Sequence, residues 1–176
     1  MPQLIVRQIE QTVVRKLKQQ AGEHGMWIAT DGAVKDRVRG FGVAILAYSG
    51  EACACEKASS VATLAASQQL VVATAADACS YRAELLALKA ALEHAAWWPS
   101  GATEKSAAFV MDTQSSASAL ALGPWMQRGT CEREVWKAII TRIQEGWRLS
   151  FIFVFGHAGI HLNELANTLA SRELDS

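Results

Sequence analysis

A change in hydrophobic period near residue 80 is the feature of this sequence that most constrains its fold. Before it, short apolar runs at residues 26–31, 41–48 and 69–74 alternate with polar turns, which is typical of strands joined in a meander. After it, helical and strand-like segments alternate. Strands separated by helices pair in parallel through crossover connections, whereas strands joined by short turns pair antiparallel. The sequence therefore predicts an α/β fold with a mixed sheet flanked by helices.

The second half of the chain supplies the clearest individual elements. Residues 80–97 are rich in Ala, Leu, Glu and Lys, so we expect a helix there, with Ser80 as its N-cap and Pro99 beyond its end. With the two strands that follow, the sheet is predicted to have five strands, three antiparallel and then parallel ones. The remaining predicted elements are strands at 107–112 and 149–155 and helices at 113–122, 131–145 and 162–173.

The N-terminal segment is predicted to be an extra amphipathic helix. Apolar side chains recur every four residues across residues 3–20, at Ile5, Ile9, Val13 and Leu17. Its basic residues lie mostly off this stripe, so the helix either packs on the domain or a neighbouring chain, which we favour, or forms a basic arm for nucleic acid or a partner. The expected organisation is a helical extension of residues 1–22 and one domain of residues 23–176.

Composition narrows the functional classes. Lys and Arg together number 17, as do Asp and Glu, and this neutral balance argues against a strongly basic, independent nucleic-acid binder. No apolar run approaches the roughly 20 residues of a membrane span, so no membrane partner is expected. The cysteines form neither a zinc pair nor a disulfide framework, which predicts reduced thiols in an intracellular protein of the nucleus or cytoplasm, with a mitochondrial location left open. They are Cys53, Cys55, Cys79 and Cys131.

Three acidic residues stand out by their positions. Asp31 and Asp112 each end an apolar run, and Glu84 lies in the first turn of the long helix. Each alone is ordinary, since Asp often follows a strand and Glu complements a helix dipole. Together at one sheet edge, however, they would repel one another unless a cation lay between them. Mg²⁺ prefers carboxylate oxygens, and pairs of such ions promote phosphodiester cleavage.

Four motifs follow one another in register along the chain. They are TDGAV (30–34), YRAELLALKAAL (81–92), MDTQSSASAL (111–120) and FGHAGIHLNELANTLA (155–170). Through them, residues 26–172 resemble the ribonuclease H family, and therefore we expect an RNase H-like fold. Residues 119–129 and 134–139 further resemble ribonuclease H domains of non-LTR retrotransposons, particularly those of trypanosomatids.

The resemblance implies roles for individual residues. Asp31, Glu84 and Asp112 would ligate two Mg²⁺ ions, for which Mn²⁺ can substitute. His157 falls on the family's mobile histidine, which assists proton transfer or product release. Gly32 would let the nucleic-acid backbone approach closely. Contacts to an RNA–DNA hybrid, including the 2′-hydroxyls that distinguish RNA, are implied for Ser80, Arg82 and Gln114.

One position departs from the family pattern. The family's fourth carboxylate, an Asp on the last helix, corresponds to Asn167. An amide still offers a carbonyl oxygen to a metal but brings no charge, so we expect weaker affinity for one metal and slower turnover. Natural divergence, decay of a mobile element's enzyme and deliberate substitution are all compatible with this change.

The sequence therefore leaves three functions open. The favoured one is a hybrid-specific endonuclease that hydrolyses the RNA strand by a two-metal mechanism, despite Asn167. The second is a non-catalytic binding module of the same fold, within a ribonucleoprotein or transposon-derived assembly, in which the N-terminal helix docks on a reverse transcriptase or another partner. The third, a DNA nuclease or integrase-like relative, is disfavoured by the motifs at 81–92 and 155–170.

Overall fold

The computed structural model describes a mixed β-sheet and the helices packed on it. Its described residues are 3–6, 24–35, 38–49, 63–71, 79–93, 98, 105–153 and 161–174. The strands are β1 (Gln3–Val6), β2 (His24–Lys35), β3 (Val38–Ser49), β4 (Thr63–Val71), β5 (Ser106–Met111) and β6 (Arg148–Phe153). The helices within these ranges are α1 (Ser80–Glu93), α2 (Gln114–Ala121), α3 (Thr130–Gln144) and α4 (His161–Leu174), and a 3₁₀ turn spans Pro124–Met126.

The sheet combines an antiparallel half and a parallel half. Its strand order is β1-β6-β5-β2-β3-β4. The meander β2-β3-β4 pairs antiparallel, as the two-residue connection between β2 and β3 requires for that pair, and the pairs β2–β5, β5–β6 and β6–β1 are parallel. The prediction of an α/β fold with a mixed sheet flanked by helices is confirmed. The prediction of five strands is wrong, because the described residues form six.

The sixth strand corrects the predicted helix over residues 3–20. Gln3–Val6 are extended and pair in parallel with β6, with Gln3 opposite Ser150 and Val6 opposite Phe153. The apolar repeat that predicted the helix has a period of four residues, so it does not constrain a segment as short as Gln3–Val6. The edge of β6, in contrast, offers unpaired backbone groups that a short apolar, β-branched segment satisfies. Residues 7–20 lie outside the described residues, and the proposed domain boundary at residue 22 stays a prediction.

Both faces of the sheet are buried. Alternate residues of a strand point to opposite faces. On one face, Phe109 and Phe151 stack at 5.0 Å between ring centroids, within a core shared with α1, α2 and α3. The other face includes Trp27, Val110 and Ile152, each at most 1% exposed, and α4 packs against β2, β3 and β4. A sheet buried on both sides explains the continuously apolar strands β5 and β6.

Two further features concern strand and loop positions. The strand predicted at residues 69–74 is β4, which spans Thr63–Val71. Its start is set by pairing with β3, where Thr63 lies opposite Leu46. The 3₁₀ turn places Trp125 on the surface with 95% of its area exposed, which is unusual for so large an apolar side chain. Among the described residues, no helix has the length and apolar character needed to cross a membrane.

Candidate metal centre

The register of two parallel strands brings two aspartates to the same level. β2 and β5 pair Ile28 with Phe109 and Ala29 with Val110. Continued by two residues, the same register sets Asp31 beside Asp112, which directly follows β5. In such sheets, functional sites assemble at the carboxyl ends of the parallel strands, so the ends of β2 and β5 are where we expect a functional site.

Glu84 reaches the same place because β2 and α1 come unusually close. A Cβ atom added to Gly32 would lie 2.5 Å from the Glu84 amide nitrogen and 2.6 Å from the Ala83 carbonyl oxygen. Any other residue at this position would therefore push the backbone of α1 away. The sequence assigned Gly32 to close approach of nucleic acid, and the structure gives the glycine a second reason, which is the approach of α1 to the strand that carries Asp31.

The three predicted carboxylates form one cluster. One ligand oxygen from each of Asp31, Glu84 and Asp112 can be chosen so that all lie within 4.8 Å of one another. Asp31 is buried, with 6% of its surface exposed, and the other two side chains are half-buried. The structure thus brings together three side chains that are 53 and 28 positions apart in sequence, on a strand, a helix and a strand end.

Burial and mutual repulsion alter the protonation of this cluster. Burial, aided by the charge of Asp31 and a hydrogen bond with it, raises the pKa of Glu84 to about 10. Burial, together with the charge of Asp112, raises the pKa of Asp31 to about 6, although hydrogen bonds from Glu84 and the Gly32 N–H oppose this. Without a cation, Glu84 therefore holds a proton at neutral pH and donates it in a hydrogen bond to Asp31.

The donor set fits a hard divalent cation. All three side chains offer carboxylate oxygens at distances that one or two small ions can span, and Mg²⁺ and Mn²⁺ prefer such ligands. The charges that raise both pKa values are those of the neighbouring carboxylates. A bound cation would displace the proton from Glu84 and relieve this repulsion, because metal binding requires deprotonated ligands.

The residues predicted to contact a nucleic acid lie at the surface near the cluster. Ser80 and Arg82, in the first turn of α1, and Gln114, at the start of α2, are all exposed. Ser80 is not the N-cap that the sequence suggested. The helix begins at Ser80, and the preceding Cys79 accepts two hydrogen bonds, from the Ala83 N–H to its carbonyl oxygen at 3.0 Å and from the Arg82 N–H to its Sγ at 3.4 Å.

Asn167, the predicted fourth ligand, lies on α4. Asn167 is half-buried on α4, and its Oδ1 accepts a hydrogen bond from Ser171 Oγ at 3.3 Å. That contact lies within its own helix, so a role of Asn167 as a metal ligand stays a prediction. His157 lies outside the described residues, and its role stays a prediction too.

A cavity next to the start of α1 was not foreseen from the sequence. It measures about 490 Å³ and lies between the first turns of α1 and α3. At its wall the Tyr81 hydroxyl donates to Glu132 Oε1 at 2.7 Å, a contact between residues 51 positions apart that no local pattern could reveal. The cavity is lined by Tyr81, Arg82, Gly129, Thr130, Cys131 and Glu132.

Comparisons with known proteins bear on the fold. No family model and no curated protein sequence matches the chain. RNase H1 from the halophilic archaeon Halobacterium salinarum NRC-1 is 21% identical with a TM-score of 0.56, covering 86% of this chain and 98% of its own. The N-terminal RNase H domain of rv2228c from Mycobacterium tuberculosis, solved as a fusion with maltose-binding protein, has the same identity, TM-score and coverage of this chain, with 94% of its own chain covered. The chain therefore has the α/β fold of ribonuclease H.

Proposed function

We propose that this protein is a ribonuclease H that hydrolyses the RNA strand of RNA–DNA hybrids. The observation that carries the proposal is the cluster of Asp31, Glu84 and Asp112, whose oxygens lie within 4.8 Å of one another at one edge of an RNase H-like sheet. A fold alone does not define an activity, because one fold hosts many functions. A buried set of carboxylates that must share a proton in the absence of a cation is a specific chemical feature, and it supports this activity.

The chemistry assigns separate tasks to these side chains. Divalent ions held by Asp31, Glu84 and Asp112 would activate the attacking water and neutralise charge at the scissile phosphate. Asp31 is the most buried of the three, so its role is to anchor the ions between strand and helix. Two Mg²⁺ ions, replaceable by Mn²⁺, are part of the proposal, with the amide oxygen of Asn167 as a weak neutral ligand on α4.

Substrate contacts are proposed for the exposed residues around the cluster. Ser80, Arg82 and Gln114 lie at the starts of α1 and α2, where hydroxyl, guanidinium and amide groups can bind phosphates and RNA 2′-hydroxyls. Gly32 leaves room beside Asp31 for the substrate backbone. His157 would shuttle a proton or assist product release. These contacts suit a neutral protein that holds its substrate locally rather than through a large basic surface.

The biological setting is also proposed from the motifs. The segments at 119–129 and 134–139 resemble ribonuclease H domains of non-LTR retrotransposons, so a reverse transcriptase or a larger ribonucleoprotein is the proposed partner. The N-terminal region would provide the contact. An intracellular location follows from the same setting and from the cysteine usage.

Cleavage of a hybrid labelled on its RNA strand tests the proposal. The protein is incubated with Mg²⁺ or Mn²⁺, beside a duplex DNA, a duplex RNA and an Asp31→Asn variant. We expect metal-dependent cuts in the RNA strand of the hybrid alone, with 5′-phosphate and 3′-hydroxyl ends, which the variant does not make. Cutting of duplex DNA at a similar rate would instead identify another nuclease of this fold.

One observation favours a second candidate, a non-catalytic module that binds hybrid without cutting it. The oxygen that Asn167 would offer to a metal already accepts a hydrogen bond from the Ser171 hydroxyl, and the residue carries no charge. A module of this kind would bind labelled hybrid in a gel-shift assay yet leave it intact with either metal.

A further inference from the structure

A hydrogen bond between the first turns of two helices connects the acidic cluster to α3. The Tyr81 hydroxyl donates to Glu132 Oε1 at 2.7 Å, and Tyr81 lies three residues before Glu84 on α1. Residues three apart on a helix are neighbours on its surface, so a restraint at Tyr81 acts on the turn that holds Glu84. We propose that this hydrogen bond positions Glu84 and thereby strengthens divalent-metal binding, an inference that rests on the proposed function.

The need for such a restraint follows from the geometry of the cluster. The three ligand oxygens lie within 4.8 Å of one another, so a small displacement of the turn that carries Glu84 would take its oxygen out of reach of a shared cation. The close contact at Gly32 limits how near α1 can approach, but a steric contact does not oppose withdrawal. A hydrogen bond to a second helix does oppose it. Gly32 and the Tyr81–Glu132 pair therefore complement each other: the glycine sets the closest approach of α1 to β2, and the hydrogen bond ties α1 to α3.

The properties of the pair suit this role. Tyr81 is half-buried and packs against the main core cluster, so its ring has a fixed position. Burial and the neighbouring Glu132 carboxylate raise the pKa of Tyr81, so its hydroxyl keeps its proton and remains a donor. A hydrogen bond from a hydroxyl to a carboxylate is shorter and stronger than one between neutral groups. Arg82 also lines the cavity, and its backbone N–H donates a hydrogen bond to Cys79 Sγ.

The same helix offers a matched control. Glu134 lies two residues after Glu132 and pairs with Lys137 at 2.9 Å, but this pair is confined to the surface of α3, with the lysine side chain 74% exposed. Exposed pairs of this type contribute little. Glu134→Gln therefore removes a carboxylate from the same helix and leaves the Tyr81–Glu132 hydrogen bond in place, since its interaction with α1 is with the charge of Lys89, five residues beyond Glu84. Glu132→Gln retains an oxygen acceptor for Tyr81 and should behave as a partial rescue.

The test measures Mn²⁺ binding by calorimetry and amide hydrogen exchange of the metal-free protein, using the full chain. We expect Tyr81→Phe to raise the Kd for Mn²⁺ by about threefold to tenfold, at the lower end of effects seen for groups that support metal ligands. Exchange at the Arg82, Ala83 and Glu84 amides should rise in the same variant. Glu132→Gln should give a smaller change in both, and Glu134→Gln should match the wild type.

Two outcomes would overturn the inference. In the first, Tyr81→Phe lowers the melting temperature but leaves the Kd for Mn²⁺ and the exchange of the first turn unchanged, which would make the contact merely structural. In the second, Glu134→Gln weakens Mn²⁺ binding as much as Tyr81→Phe, which would make the effect one of general charge. A wild-type protein that binds Mn²⁺ but cleaves no hybrid would end the proposed function alone, because the comparison of Kd values would still decide the inference.

Discussion

The two helices expected to bring metal ligands to the site are held in different ways. α1 is fixed from outside, by the close contact of its backbone with Gly32 and by the Tyr81–Glu132 hydrogen bond. The side-chain contact of Asn167 lies within α4 itself, to Ser171 one turn later. The carboxylate thus lies near a helix start that a side-chain hydrogen bond and a close backbone contact hold in place, whereas α4 is held by its packing on β2, β3 and β4.

The difference shows what a dense acidic site requires of its scaffold. Burial and the charges of Asp31 and Asp112 raise the pKa of Glu84 to about 10, so without a cation the cluster keeps a proton that offsets part of its repulsion. A fourth carboxylate would add to that repulsion. If Asn167 is a ligand as proposed, its neutral amide avoids that added repulsion, and variants on each side of the site should separate stability from activity.

The largest effect is expected for Asp31→Asn, on the restrained side. Loss of a buried ligand shared by the ions should lower hybrid cleavage by at least about a thousandfold, equivalent to several kcal/mol of transition-state stabilisation. The same variant should melt at a higher temperature than the wild type in EDTA at pH 8, because one of the repelling charges is gone. Opposite changes in rate and melting temperature would identify the cluster as functional. An activity equal to that of the wild type would contradict this.

Gly32→Ala should break the restraint on α1. A methyl group would meet the backbone of Ala83 and Glu84, so α1 must move, and we expect a loss of about 2–4 kcal/mol in the free energy of unfolding. Urea denaturation measures it. Gly146→Ala is the control, since Gly146 has φ of +92° and its nearest neighbour would be 3.7 Å away, so only backbone strain of about 1 kcal/mol is expected. Equal losses would mean that the close approach is unimportant.

Asn167→Asp tests the part of the site that lies on α4. A restored charge should tighten metal binding and raise the rate of hybrid cleavage by about tenfold, because an added carboxylate ligand contributes about 1–2 kcal/mol in a partly exposed site. Cleavage rates across a Mg²⁺ titration measure this effect. Ser171→Ala is the matched control, since it removes the hydrogen bond to Asn167 without adding charge. If the rate does not rise, Asn167 is not a ligand.

The parts of the site that could be predicted from the sequence are those marked by local patterns. Asp31 ends an apolar run within β2 and Asp112 directly follows β5, and the parallel register of these strands brings the two together. Glu84 lies near the start of a helix that the sequence predicts, and the close approach of α1 to Gly32 brings it to them. The resemblance of the four motifs to ribonuclease H led to the same three residues and to the same fold. Their catalytic roles still rest on the proposed experiments.

The features that escaped prediction depend on distant partners. β1 forms only because β6 offers an open edge, and Tyr81 finds Glu132 across 51 positions. Cys79 caps α1 in place of Ser80 because its thiol and carbonyl face the first turn, although cysteine is not a preferred cap. Trp125 is exposed because the turn that begins at Pro124 points it outward, whereas Trp136 and Trp147 are buried. None of these follows from hydrophobic period.

The smallest expected effect is the change in the stability of the metal-free protein with each pH unit. This slope depends directly on the charges of Asp31 and Glu84. Folding raises the pKa of Asp31 to about 6 and that of Glu84 to about 10. For acids raised in this way, the unfolded chain releases protons first, so the stabilisation is complete below about pH 4 and is lost as pH rises through the folded values. In EDTA, the melting temperature should fall by about 3 °C for each pH unit between pH 5 and pH 9, because about one proton separates the folded from the unfolded state over this range. Mn²⁺ should remove most of this slope, because the cation replaces the proton, and Asp31→Asn should flatten it without metal. A melting temperature in EDTA that rises over this range would mean that the carboxylates are stabilised by a cationic group rather than repelled by one another.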